Sequence, residues 1–132
     1  MLKTLIVEDH PFSRDTLQEL FSTHFSSMII EGVASGKEAI QKVKSSLPPD
    51  LIIMDIRLPD ESGLELTKKI KTMNPKVKVL ILTGHHYPEY KEAAAQYGAD
   101  GFLVKGGPSE EILATVKSIF PEAEESSFDE RK

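Results

Sequence analysis

Short, nearly continuous apolar runs recur at almost regular intervals along the chain. Runs of this length without polar alternation are typical of parallel strands that are covered on both faces. The five runs are Leu5–Val7, Met28–Ile30, Leu51–Met54, Val77–Leu82 and Phe102–Val104. They predict five β-strands, each buried on both faces.

The segments between these runs carry apolar residues at helical spacing, so each segment predicts an amphipathic helix. The stripes are Leu17, Leu20, Phe21 and Phe25; Ala39, Ile40 and Val43; Leu64, Leu66 and Ile70; Ala93, Ala94 and Tyr97; and Ile112, Leu113, Val116 and Ile119. Ser35 with Glu38, and Ser62 with Glu65, match the capping box that starts a helix. Strands and helices are therefore predicted to alternate.

Strict alternation predicts an α/β fold with a parallel sheet, right-handed crossovers and helices on both faces. Five βα units suit a single doubly wound, flavodoxin-like domain with strand order 2-1-3-4-5, whereas a barrel needs eight units. We assign this domain to residues 1–120. The Glu- and Ser-rich segment 121–132 is expected to be an acidic tail or linker.

Composition narrows the possible partners and surroundings. The net charge of −5 opposes contact with phosphate backbones, so direct nucleic-acid binding by this segment is not expected. The chain has no cysteine, which excludes disulfides and thiolate metal sites. No apolar run reaches membrane-spanning length, and the first is too short for a signal peptide. We therefore expect a cytoplasmic protein without membrane contact.

Polar side chains follow four of the predicted strands at their carboxyl ends. Glu8 and Asp9 follow the first strand, Asp55 the third, Thr83 the fourth and Lys105 the fifth. In the predicted order these strands are neighbours, and the carboxyl edge is where open α/β sheets bind ligands. The fold is therefore expected to bring three carboxylates, one hydroxyl and one ammonium to a single cleft.

Three carboxylates in one cleft need a cation, because their mutual repulsion otherwise raises a pKa. Oxygen ligands alone favour Mg²⁺ over Zn²⁺. Asp55 follows four apolar residues on a central strand, where an unpaired acid is costly. A carboxylate can carry a phosphoryl group, and Mg²⁺, Lys105 and Thr83 would supply the positioning and charge neutralisation that phosphoryl transfer needs.

Four motifs in order resemble one known family. They are Val7–Pro11, Met54–Pro59 with Ser62 and Gly63, Leu82–Gly84, and Gly98–Lys105. From Leu2 to Phe120 the chain resembles the response-regulator receiver domains of two-component signalling, which have a CheY-like fold. The first and last motifs are most similar to those of the NarL/LuxR branch.

The resemblance implies roles for the residues at the strand ends. Asp55 would be the phosphoacceptor, and the Mg²⁺ ligands would be Asp9, Asp55 and the backbone carbonyl of Arg57. Glu8 would act on the metal through water, and Lys105 would pair with the phosphoryl group.

The resemblance also implies a switch and its partners. Thr83 and Phe102 would form the switch pair, with the hydroxyl moving to the phosphoryl group and the ring swinging inward. The surface of helix 4, strand 5 and helix 5 would change, while catalysis would be limited to phosphorylation and dephosphorylation of the domain itself. A sensor histidine kinase or phosphotransfer protein would donate the phosphoryl group, and weak homodimers are possible. The output would be transcription or another process, acting through a partner or a missing output domain.

The chain departs from the family at two places. Many receivers have Lys-Pro after the fifth strand, whereas here Lys105 precedes two glycines and Pro108. The more pliable loop cannot contain the usual Lys–Pro peptide. Arg57 stands two residues after Asp55, and His85 stands two residues after Thr83. In the family, the side chains at these two positions tune the lifetime of the phosphoryl group. The His85–His86 pair is read as solvated loop residues rather than metal ligands.

Two alternative functions remain open. A docking module could keep the fold and ignore phosphate, although the acid, hydroxyl and lysine positions are intact. A Mg²⁺-dependent phosphohydrolase of the haloacid dehalogenase type would need Asp-x-Asp, but Arg57 stands at the second position.

Overall fold

The computed structural model describes residues 2–85 and 87–123. Within them, five helices alternate with five strands, as the apolar pattern predicts. In chain order they are β1 (Lys3–Val7), α1 (Pro11–His24), β2 (Ile29–Val33), α2 (Gly36–Lys44), β3 (Leu51–Met54), α3 (Gly63–Met73), β4 (Lys78–Thr83), α4 (Pro88–Gln96), β5 (Gly101–Val104) and α5 (Ser109–Ile119). None of these helices has the length and hydropathy needed to cross a membrane.

The five strands form one parallel sheet in the order β2-β1-β3-β4-β5. This confirms the predicted fold class and strand order. The expectation that every strand is buried on both faces is wrong for the two edges. Strand β5 is only partly buried throughout, and Ile29 on β2 is 47% exposed. An edge strand has a neighbour on one side only, and local composition does not reveal that position.

Side chains alternate between two cores, one on each face of the sheet. Leu5 and Val7 belong to the core beneath α2, α3 and α4, whereas Ile6 belongs to the core beneath α1 and α5. Packed chain continues past α5, since Ala123 is buried in the second core. Residues 124–132 of the expected tail lie outside the described residues.

The two predicted capping boxes have different outcomes. Ser35 accepts a hydrogen bond from the Glu38 amide, as a capping box requires, and the Glu38 carboxylate accepts its return bond from the Ala34 amide, one residue before the cap. Ser62 caps α3 by accepting from the Leu64 amide. The Glu65 carboxylate does not bond to the backbone at that cap. It accepts a hydrogen bond from the hydroxyl of Tyr97, the residue that ends α4, so the second box is only half formed.

Candidate functional site

Backbone hydrogen bonds place the predicted site residues side by side at the carboxyl edge of the sheet. The Asp55 amide donates to the Val7 carbonyl at 3.1 Å, which sets Asp55 beside the end of β1. The Lys105 amide donates to the Thr83 carbonyl at 2.7 Å, which joins the ends of β4 and β5. The cleft therefore follows directly from strand order and register.

Three carboxylates meet in this cleft. One oxygen from each of Glu8, Asp9 and Asp55 lies within 4.8 Å of the others, and within residues 2–85 and 87–123 this is the group able to hold a metal ion. Glu8 is buried, Asp9 is exposed and Asp55 is partly buried. Oxygen donors that are partly open to solvent suit a hard divalent cation that keeps some of its water, such as Mg²⁺. The donor set fits the predicted cation.

Lys105 lies between two of the acids. Its ammonium hydrogen-bonds Glu8 Oε1 and lies 3.9 Å from Asp55 Oδ2. The second Glu8 oxygen accepts a hydrogen bond from the His10 amide at 3.1 Å. One ammonium therefore faces two carboxylates, and the remaining negative charge favours a further cation.

The Asp55 carboxyl group is poorly stabilised as an anion. Burial raises its pKa to about 6 from the ordinary 3.8, and the neighbouring Glu8 charge adds to the effect. Lys105 and a 2.9 Å hydrogen bond from the Ile56 amide act in the opposite direction without cancelling it. A carboxylate of this kind gains from a cation beside it.

Thr83 and Phe102 lie on the same face of the sheet. Thr83 pairs with Val104 and Ile81 pairs with Phe102, so Thr83 and Phe102 are two register positions apart and their side chains share one face. Thr83 is fully buried, and its hydroxyl accepts a hydrogen bond from the His85 amide at 3.2 Å. The Phe102 ring is partly buried against the core beneath α2, α3 and α4.

Arg57 lies in the loop after β3 and is exposed. Its backbone forms an isolated antiparallel bridge with Ser62, which closes the loop that follows Asp55. The Gly63 amide donates to the Ile56 carbonyl at 2.7 Å and tightens the same loop. The Arg57 backbone therefore lies two residues after Asp55, in a loop that these backbone bonds close.

The loop after Lys105 takes a conformation that favours glycine. Gly106 has a φ of +96°, which side chains rarely adopt, although a Cβ atom there would meet nothing within 4 Å. No peptide bond in the described ranges is cis. Where many receivers have a proline after the lysine, this chain therefore has Gly106 in the left-handed region of backbone conformation.

His85 belongs to an aromatic group at the start of α4. Its ring stacks on Tyr87 at 6.1 Å between centroids, and Tyr87 contacts Tyr90 edge to face at 5.1 Å. His85 is not part of the carboxylate group described above. His86, the other member of the predicted pair, lies outside the described residues.

Three other contacts near the site are not predicted by the sequence pattern. Arg14 on α1 donates from Nη1 to the Glu8 carbonyl at 2.8 Å. Asp60 accepts from the amides of Gly36 and Lys37 at 2.9 Å each, and these bonds lower its pKa. Gly63 lies against the Asp55 carbonyl. Each of these contacts has a backbone atom as one partner, so a pattern of side-chain types along the sequence does not predict it.

Comparison with known proteins agrees with this geometry. The family model for the response regulator receiver domain matches residues 4–117. Oxygen regulatory protein NreC of Staphylococcus haemolyticus (strain JCSC1435) is 34% identical over 120 residues, which cover 90% of this chain and 55% of that protein. The chain spans about half the length of the curated relatives it matches.

Solved structures show the same architecture. A CheY-like response regulator receiver domain protein from Methanospirillum hungatei JF-1 is 26% identical with a TM-score of 0.84, covering 93% of this chain and 96% of that chain. A LuxR-family DNA-binding response regulator from Staphylococcus aureus is 25% identical with a TM-score of 0.81, covering 90% and 98%.

Proposed function

The chain belongs to the response regulator receiver domain family, and we propose that it is a switch controlled by phosphorylation of Asp55. Its relatives place it among the receivers of NarL/LuxR type, which are signalling domains of two-component systems. The donor would be a sensor histidine kinase or a phosphotransfer protein.

The observation that carries this proposal is the convergence of Glu8, Asp9 and Asp55 with Lys105 at one edge of the sheet. Asp9, Asp55 and the Arg57 carbonyl would hold Mg²⁺, and Glu8 would reach it through water. The metal would neutralise phosphoryl oxygens. Lys105 already faces Asp55 at 3.9 Å and needs only a small movement to meet a phosphoryl group there.

The transfer itself asks little covalent chemistry of the protein. An Asp55 oxygen attacks the phosphorus of the donor's phosphohistidine, the P–N bond breaks, and the histidine leaves with a proton from solvent. Water later attacks the aspartyl phosphate and returns the free carboxylate with inorganic phosphate. The domain would carry out these two steps on itself and process no separate substrate.

The response to phosphate would begin at Thr83. Its hydroxyl would exchange the His85 amide for a phosphoryl oxygen, and the space vacated beside β5 would admit the Phe102 ring. The surface of α4, β5 and α5 would then change for a partner or an output domain. Transcriptional output, weak homodimerisation and a cytoplasmic location remain expectations.

The test is uptake of a phosphoryl group from acetyl phosphate, followed by intact-mass spectrometry with Mg²⁺ or with EDTA. We expect Mg²⁺-dependent labelling of the natural chain and of Asp15→Asn, an exposed acid on α1, but none of Asp55→Asn. Equal labelling of Asp55→Asn would overturn the proposal. Unchanged amide NMR spectra with beryllofluoride and Mg²⁺ would instead favour the docking module, and repeated turnover of a phosphate ester would favour the phosphohydrolase.

A further inference from the structure

The peptide group between two of the clustered acids is held by a side chain from another element. The Glu8 carbonyl, which belongs to the Glu8–Asp9 peptide, accepts a hydrogen bond from Arg14 Nη1 at 2.8 Å. This bond is charge-assisted and partly buried, so it is stronger than an ordinary surface contact. The orientation of that peptide governs the direction in which both acids leave the strand end.

A glycine on β2 gives Arg14 its path to this carbonyl. A Cβ atom at Gly32 would lie 3.0 Å from Arg14 Cδ and 3.1 Å from Arg14 Cγ. The aliphatic stem of Arg14 therefore lies directly over Gly32. The same Cβ would lie 2.8 Å from the Gln18 side-chain oxygen one turn further along α1. Gln18 therefore also packs over Gly32, but the atom that approaches Gly32 is at the far end of a flexible side chain.

We propose that Arg14 is a positioning residue for the cation site, fixing the Glu8–Asp9 peptide so that both carboxylates converge on Asp55. The inference rests on the proposed function and adds a residue that the recognised motifs omit. Mg²⁺ demands near-octahedral geometry from its ligands, so a loosened turn weakens binding even when every carboxylate is present. Arg14 touches neither the metal nor the phosphoryl group in this arrangement and acts through the backbone.

The sign of the effect separates positioning from simple electrostatics. Arg14 is a cation near a cation site, so removing its charge alone would strengthen Mg²⁺ binding. Loss of the hydrogen bond acts the other way, because it frees the acidic turn. A weaker Mg²⁺ affinity in a variant without the guanidinium therefore reports on geometry.

The experiment measures the Mg²⁺ dissociation constant by amide NMR titration for Arg14→Met, with Gln18→Met as the matched control on the same helix face. We expect Arg14→Met to bind Mg²⁺ about tenfold more weakly, as is usual when a group that orients ligands is removed. Gln18→Met should bind like the natural chain. Thermal unfolding in EDTA shows whether both variants are folded and equally stable without metal.

A second variant keeps the inference testable if Arg14→Met proves too unstable. Gly32→Ala should displace the Arg14 stem and weaken Mg²⁺ binding in the natural background, but add no further loss to Arg14→Met. An unchanged or stronger Mg²⁺ affinity in Arg14→Met, or additive losses in the double variant, would overturn the inference. Failure of Asp55 to accept a phosphoryl group in the natural chain would remove the proposed function while leaving these metal affinities measurable.

Discussion

Gly63 lies so close to Asp55 that a Cβ atom on Gly63 would fall 1.9 Å from the Asp55 carbonyl oxygen. It would also fall 3.0 Å from the Ile56 α-carbon. Both neighbours are backbone atoms of the loop that carries the proposed phosphoacceptor. The glycine at the start of α3 is therefore required by the close approach of two backbone segments.

Replacing this glycine should damage both fold and site. We expect Gly63→Ala to lower the free energy of unfolding by about 3 kcal/mol, because the loop and α3 must separate to admit the methyl group. Gly84→Ala is the control, since a Cβ atom there meets nothing within 4 Å. Urea unfolding checks both, and a Gly63→Ala protein as stable as Gly84→Ala would contradict the packing described.

The raised pKa of Asp55 predicts a stability cost in the absence of metal. The pKa of Asp55 is about 6 in the folded chain, against an ordinary value of 3.8. Between pH 3.8 and pH 6 the folded state therefore binds a proton on Asp55 that the unfolded state has lost. Stability should therefore rise as the pH falls through 6 toward 4, and the ionised form should cost up to about 3 kcal/mol at neutral pH.

Asp55→Asn removes that cost without removing the side chain. In EDTA at pH 7.5 we expect this variant to be more stable than the natural chain, with the difference shrinking toward pH 4. Asp15→Asn, at an exposed position on α1, is the control for removing one acidic charge. Urea unfolding across this pH range makes the comparison, and a less stable Asp55→Asn at pH 7.5 would show that burial does not disfavour the charge.

Much of this architecture can be predicted from the sequence, because the strands of a covered parallel sheet are apolar runs. The order of the strands then determines which strand ends lie side by side. Asp55 and Lys105 could be placed together on that basis alone. The contacts that escaped prediction join a side chain to a distant backbone or side chain. Glu65 finds Tyr97 rather than its own helix cap, and Arg14 reaches a carbonyl across a glycine. Such pairs depend on three-dimensional proximity and leave no periodic signal.

Asp60 ties the loop after Asp55 to the start of α2, and this link should depend on pH. Its two hydrogen bonds from the amides of Gly36 and Lys37 favour the carboxylate, which is why its pKa is lowered. The stabilisation is therefore complete above the ordinary pKa of 3.8 and is lost as the pH falls through the lower folded value.

We expect Asp60→Ala to lower the free energy of unfolding by about 1 kcal/mol at pH 7, the usual cost of removing a helix cap. The difference from the natural chain should disappear at pH values where Asp60 is protonated. Asp15→Ala, on an exposed part of α1, provides the comparison. A constant difference at every pH would indicate that packing, and not the charged hydrogen bonds, is responsible.

Lys105 and a bound metal should compete for the same acids. The ammonium hydrogen-bonds Glu8 and lies 3.9 Å from Asp55, so it repels a second cation in the cleft. We expect Lys105→Met to bind Mg²⁺ on the order of tenfold more tightly, because one positive charge near the cluster is removed. Phosphoryl uptake from acetyl phosphate should nevertheless become slower, since that charge no longer neutralises the incoming phosphoryl group.

The opposite directions of these two effects make the test specific. A variant that merely distorts the cleft would lose both Mg²⁺ affinity and phosphoryl uptake, as Gly63→Ala is expected to do. Lys76→Met removes the same charge from the exposed loop before β4, at the opposite edge of the sheet from the acids, and should change neither quantity appreciably. NMR titration with Mg²⁺ and time-resolved intact-mass spectrometry supply the two measurements. Weaker Mg²⁺ binding by Lys105→Met would mean that the lysine organises the acids more than it competes with a cation.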